Sequence, residues 1–270
     1  MISIKTSEEI KIMREGGQKL AHIMEKLQKQ VRPGVNTEEL DAFAEHEIIK
    51  AGAKPAFKGY QKFPRTLCTS VNEEVVHAIP SKEKVLREGD ILTLDIGLIW
   101  SASLKNRLDS EAKRTASQGG NGFYLDMART VSVGEVSFEL KHLIETTKKA
   151  LRLGIRKART GNTFGDIGNT IQRFVESQGY NVVRDLCGHG IGVQLHEDPQ
   201  VPNYGKRKTG PEIKEGMVFC IEPMVTVGGW KLKKSADNYG FSTEDGSLSA
   251  HFEDTVAVTA KGTEVLTKLK

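Results

Sequence analysis

Five side chains in this sequence have types and surroundings that could do chemistry: Asp95 in LTLDIG, Asp126 in FYLDMART, His189 in CGHGIG, Glu222 in FCIEPM and Glu253 in HFEDTV. Each lies in or beside an apolar run, and charged groups are rarely buried unless they are paired or hold a metal. Four carboxylates gathered in one pocket repel one another, so some would have to stay protonated. Two divalent cations set against four carboxylates leave the ionised site neutral. Oxygen-rich ligation with a single imidazole suits Mn, Fe(II) or Co better than a structural zinc site. Five ligands serving two ions require bridging carboxylates and a metal separation of about 3.5–4 Å. A water shared by such ions is a nucleophile near neutral pH. That is hydrolase chemistry.

The spacing adds a second signal. Asp126 follows Asp95 by 31 positions and Glu253 follows Glu222 by 31, while Asp95 to Glu222 and Asp126 to Glu253 are both 127. The offset of 127 also relates RPGVNTEELDAFAEHEIIKAGA, from Arg32, to RTGNTFGDIGNTIQRFVESQGY, from Arg159. Gly34 then meets Gly161, Leu40 meets Ile167, Ile48 meets Val175 and Gly52 meets Gly179. A fixed offset marks a repeated unit. The chain therefore reads as one catalytic domain, 1–270, built from two related halves (about 1–130 and 131–270) that share a central site.

The elements that must position these residues follow from pattern. Thr6 and Glu9 have capping-box spacing, and Ile10, Met13, Gly17, Leu20, Met24 and Leu27 draw one apolar stripe of a first helix. A second helix spans Thr37 to Ala51 and stops at Gly52. A matching pair is expected at Ser137 to Arg159 and Phe164 to Ser177. His22 and His46 fall on outer helix faces and receive no role. Strand-like runs are CTSVNEEVVHAIP, EGDILTLDIGLIW, FYLDMARTVSVGE, NVVRDLCGHGIG, GMVFCIEPMVTV and HFEDTVAVT. The class is α+β, with helices on one face of a curved antiparallel sheet.

Residues 102–121, ASLKNRLDSEAKRTASQGGN, differ in kind. They hold too few large apolar residues to fix themselves and are expected to be a mobile polar excursion. Because that stretch enters the first 31-residue spacing, the 31-residue match is partly accidental. The 127 offset between helix pairs is independent of it. Phe57, Tyr60 and Phe63 recur in a loop-like segment and read first as a packed cover over the core. The glycines of CGHGIG lack the acidic partner of a dinucleotide fingerprint.

Composition sets outer bounds. The chain has 270 residues, 27% charged and 38% hydrophobic, with a formal charge of +4. These are the proportions of an ordinary globular protein. There is no apolar run of the ~18 residues that would suggest a membrane span, and no dense basic stretch for nucleic acid. Cys68, Cys187 and Cys220 lack Cys-x-x-Cys spacing and read as thiols in a reducing, cytoplasmic compartment.

Taken in order, VNEEVVHAIP, LTLDIG, YLDMARTVSVG, GHGIGVQLHEDP, FCIEPM and LSAHFEDTVAVT resemble the type I methionine aminopeptidases of peptidase family M24. The resemblance runs over nearly the whole chain. It implies the pseudo-symmetric pita-bread fold, with helices on the outer face of the sheet. It implies removal of the initiator methionine from nascent polypeptide N-termini, at the ribosome, by a monomer that uses no membrane. It implies that Asp95, Asp126, His189, Glu222 and Glu253 hold two divalent ions (Co, Mn or Fe(II)). Two more histidines enter by the same route: His77 beside the scissile amide, and His196 on the substrate carbonyl and its oxyanion. Glu222 would be both ligand and proton shuttle. Tyr60, Phe63, Cys68, Leu195 and Tyr239 would line the methionine pocket, where rings and a thiol suit a flexible thioether. Two departures stand out. The first two Asp ligands are spaced more widely than is usual, which makes 102–121 an insertion. The eukaryotic metal-binding extension is missing, so a short bacterial-type enzyme fits better. The rivals are a proline-directed peptidase of the same fold, for which there is no room ahead of the first helix, and a non-catalytic binding relative, which should have lost ligands.

Overall fold

In the computed structural model, residues 1–101 and 122–269 are described; the expected insertion at 102–121 lies outside them. Helix α1 runs Ser7–Gln28. Its start is fixed reciprocally: the Thr6 hydroxyl accepts from the Glu9 N–H at 3.2 Å, and the Glu9 carboxylate accepts from the Thr6 N–H at 2.7 Å. The expected stripe is its buried face, laid on the strands Ile91–Trp100 and Phe123–Ser132. Helix α2 is Thr37–Lys50, α3 is Phe138–Lys157 and α4 is Phe164–Ser177.

The offset of 127 recurs in the coordinates. Helices α2 and α4 each have 14 residues, and Phe164 follows Thr37 by 127. Asn36 and Thr163 cap them and each makes an isolated bridge, to Val85 and to Glu212, which are again 127 apart. Left-handed backbone recurs at Gly34 and Gly161, at Gly52 and Gly179, and at Gly89 and Gly216.

Nine strands form a curled sheet among the described residues. Its path is Lys54–Pro55, Ile91–Trp100, Phe123–Ser132, Glu253–Thr259, Val218–Ile221, Gly188–Gly190 and Glu197–Val201, with Leu67–Val71 and Gly262–Val265 as side partners. Every pairing is antiparallel. One apolar core lies beneath α1 and α2 and another beneath α3 and α4. The fold is α+β, as the patterns predicted.

Four runs that read as continuous strands are broken. CTSVNEEVVHAIP divides into Leu67–Val71 and Glu74–Val76, with Asn72 in left-handed backbone between them. NVVRDLCGHGIG yields only Asn181–Val182 and Gly188–Gly190. GMVFCIEPMVTV divides into Val218–Ile221 and Met224–Thr226, because Pro223 has no N–H and restricts the residue before it. HFEDTVAVT divides at Phe252, into Ser249–His251 and Glu253–Thr259. The two breaks face each other, with the Phe252 N–H donating to the Pro223 carbonyl at 3.3 Å. Glu222 and Glu253 stand at these breaks.

Candidate metal centre

Strand register brings the carboxylates together. Asp95 and Glu253 both pair with Ala128, one from each side of the Phe123–Ser132 strand. Directly opposed residues share a face, and the two-residue period puts Asp126 on the face of Ala128. The last pair of the next ladder is Asp254 with Ile221, so Glu222 follows at the level of Glu253. Asp95, Glu253 and Glu222 thus stand in one row across the sheet, with Asp126 one step along. Ala128, with only a methyl group, keeps the middle of the row open.

The site is held stiffly from behind. The Thr255 hydroxyl donates to the Asp126 carbonyl at 2.8 Å and accepts from the Asp126 N–H at 3.1 Å. Arg129 donates to the Glu253 carbonyl at 2.5 Å and to Asp254 at 2.6 Å. The buried Asn203 amide donates to the Glu222 carbonyl at 3.0 Å. These anchors fix the ligand strands relative to one another.

His189 completes the group. Its Nδ1 lies 3.0 Å from the Gly190 carbonyl, which can only accept. Burial holds the ring neutral, with its pKa lowered to about 3. Nε2 therefore presents a lone pair, and it points at carboxylate oxygens of Glu222 at 3.7 Å and Glu253 at 3.9 Å. A lone pair aimed at two carboxylates is repulsive unless a cation or a carboxyl proton lies between them. Asp95 Oδ1, Asp126 Oδ1 and Glu253 Oε1 are likewise buried without a hydrogen-bond partner. Ligand atoms of Asp95, Asp126 and Glu253, of His189, Cys220 and Glu253, and of Glu222, His251 and Glu253 lie within 4.8 Å of one another in each set. This donor set fits divalent cations.

The electrostatics agree. Burial raises the Asp95 pKa to about 6. Burial, and then the neighbouring carboxylates, hold Asp126, Glu222 and Glu253 well above their ordinary values. Charge of one sign has been concentrated here at a cost that cations remove.

The centre forms the floor of a cleft of about 540 Å³. Its walls include His77, His196, Tyr60, Phe63, Cys68, Leu195 and Tyr239, every pocket residue that the resemblance implied. Phe57, Tyr60 and Phe63 do cover the core, but they also wall the cleft. Cover and wall are thus the same rings, as the pattern and the resemblance respectively implied. Phe63 and Tyr239 meet edge to face at 5.5 Å, and the Tyr239 hydroxyl donates to the Lys62 carbonyl at 2.9 Å. The Tyr60 hydroxyl lies 2.9 Å from His196 Nδ1. His77 follows the Glu74–Val76 strand in left-handed backbone, at φ 58°, a region that a β-carbon disfavours. Enclosure by protein lowers its pKa, followed by His251 and His196. The residue is nonetheless exposed along the cleft.

Sequence reasoning missed several residues. Cys187 and Met224 also line the cleft. Cys187 is half-buried, unlike the buried Cys68 and Cys220. His251 lies within the motif HFEDTV yet drew no attention, because its partner Glu222 comes from a different strand break.

The sequence matches metallopeptidase family M24 over residues 11–104 and 115–260. A methionine aminopeptidase of Clostridium acetobutylicum is 46% identical over 267 residues, covering 99% of each chain. The crystal structure of a methionine aminopeptidase from Thermotoga maritima superposes with a TM-score of 0.90 at 41% identity, covering 99% of this chain and 100% of that one. An Xaa-Pro dipeptidase from Bacillus anthracis superposes less well, with a TM-score of 0.69 at 25% identity, and this chain spans 62% of it. The chain belongs to metallopeptidase family M24, among its methionine aminopeptidases.

Proposed function

We propose that this protein is a metal-dependent aminopeptidase that removes the initiator methionine from nascent polypeptides in the cytoplasm, at the ribosome and as a monomer. Asp95, Asp126, His189, Glu222 and Glu253 would hold two divalent ions, with Mn, Fe(II) and Co the best matches to the donor set. When bound, such ions polarise a carbonyl and lower the pKa of water toward neutrality. The observation that carries the reading is that the acidic row and the apolar cleft are one continuous site.

The remaining roles belong to this chain's own side chains. A substrate's first side chain enters between Tyr60, Phe63, Cys68, Leu195 and Tyr239, whose rings and thiol suit a thioether. With Tyr60 donating to Nδ1, His196 carries its proton on Nε2 and offers it to the substrate carbonyl as negative charge develops there. His77 donates beside the amide that is cut. Glu222 takes up a proton during attack and returns it to the leaving amine. The elements repeated at 127 support two copies of one unit, about 1–130 and 131–270, in a single catalytic domain.

Metal-loaded protein incubated with Met-Ala-Ser and with Ala-Pro-Ala tests the reading. Free methionine should appear from the first peptide, and the second should survive. Release of alanine from Ala-Pro-Ala alone would transfer the protein to the proline-directed peptidases. Cleavage of neither would leave only a binding protein.

A further inference from the structure

His251 is the most enclosed ring at the centre, and the five-ligand set leaves it unused. It ends the Ser249–His251 strand, is 1% exposed, and has no hydrogen-bond partner on either ring nitrogen. An imidazole buried in that state loses two solvent hydrogen bonds and regains none. Its Nε2 stands 3.5 Å from Glu222 Oε2. The other oxygen of the same carboxylate, Oε1, is the one nearest His189 Nε2. Glu222 is therefore held between two imidazoles. His189 offers it a lone pair, whereas His251 can offer a proton, since an imidazole in either charge state keeps at least one N–H.

The ring's place is set by its backbone. The His251 N–H donates to the Thr130 hydroxyl at 2.8 Å, and that hydroxyl donates to the His251 carbonyl at 2.9 Å. Thr93 holds the Thr130 hydroxyl in turn, at 2.7 Å. Across the ladder His251 faces Met224, two residues past Glu222. Both sides of the contact are thus fixed by sheet.

We infer that His251 is a positioning residue for Glu222: when the centre is loaded the 3.5 Å approach closes to an Nε2–H donation to Glu222 Oε2, which keeps Oε1 turned into the metal centre. The inference rests on the metal-centre reading above. An unanchored Glu222 would have to be ordered anew at each metal-binding event, and hydrogen-bonding partners of this kind carry about 10–100-fold in affinity or activity.

Cobalt titration of wild type, His251→Gln and His251→Ala, by calorimetry and by visible absorption, tests it. Glutamine can donate an N–H at similar reach, whereas alanine cannot. His251→Gln should keep the wild-type Co(II) absorption and an affinity within about threefold. His251→Ala should lose about tenfold or more in Co(II) affinity, and kcat on Met-Ala-Ser should fall more than KM rises. Should alanine leave a cavity that unfolds the protein, His251→Met fills it without a donor, and the alanine expectations pass to it. A changed Co(II) absorption in His251→Gln would make His251 a direct ligand and overturn the inference. Wild-type affinity and kcat in every variant, with only a lower Tm, would reduce it to packing. A wild type that takes up no cobalt would overturn the metal centre itself, a result distinguishable from both.

Discussion

His196 shows how one contact sets the chemistry of a side chain. In the proposed mechanism, a Tyr60 hydroxyl that donates to Nδ1, 2.9 Å away, leaves the proton on Nε2 for the substrate. His196→Ala and His77→Ala should each retain metal and lose about 10²-fold or more in kcat, as expected for acid–base or oxyanion groups. Tyr60→Phe should cost less, up to about tenfold, because it removes one hydrogen bond worth about 0.5–1.5 kcal/mol. Steady-state kinetics on Met-Ala-Ser, with metal content measured on the same samples, checks all three, and unchanged rates in both alanine variants would remove the histidines from the mechanism. The five candidate ligands could be picked out because a charge in an apolar run is costly and so conspicuous. His251 was not, since its meaning comes from Glu222, which reaches it only through the facing breaks at Pro223 and Phe252.

At the scale of elements, helix periodicity announced α1 to α4 closely, because caps and stripes are local features. The strands were harder. A run such as FCIEPMVTV is apolar except for Glu222 and Thr226, and only the missing N–H of Pro223 breaks it. Close approach is equally hard to see in sequence. On the buried face of α1, a β-carbon at Gly17 would lie 2.4 Å from the Leu266 carbonyl oxygen. Backbone cannot swing aside as a flexible side chain can. Gly17→Ala should therefore destabilise the protein by about 1–3 kcal/mol, although alanine favours an exposed helix by about 1 kcal/mol over glycine. Urea unfolding measures the difference, and a stabilised variant would show that α1 sits farther from Leu266.

For the molecule as a whole, the metal centre ties stability to pH. In metal-free protein, a buried carboxyl with a raised pKa keeps a proton that the unfolded chain has lost. Its contribution to stability falls as pH climbs from about 4 through the raised value. Buried histidines oppose this: with His189 lowered to about 3 and His251 to about 4, they favour folding increasingly up to about pH 6.5 and add nothing beyond it. Above about pH 6.5 the histidines add no further slope, and what Asp126, Glu222 and Glu253, held well above the ordinary carboxyl range, still contribute runs downward. The Tm in EDTA should fall from about pH 6.5 upward. Saturating Mn²⁺ should abolish that slope and add about 2.7 kcal/mol at a hundredfold excess over Kd. A Tm that rises with pH in EDTA would mean that these carboxyls do not crowd together.

The row that meets over Ala128 joins strands separated by most of the chain: Asp95 on one side and Glu253 on the other. During synthesis, a polypeptide that has reached His189 owns three of the five ligands and still lacks both glutamates. On the proposed ligand set, competence to hold cations therefore arrives only with the last strands, and a truncated product should be inert rather than a feebler hydrolase.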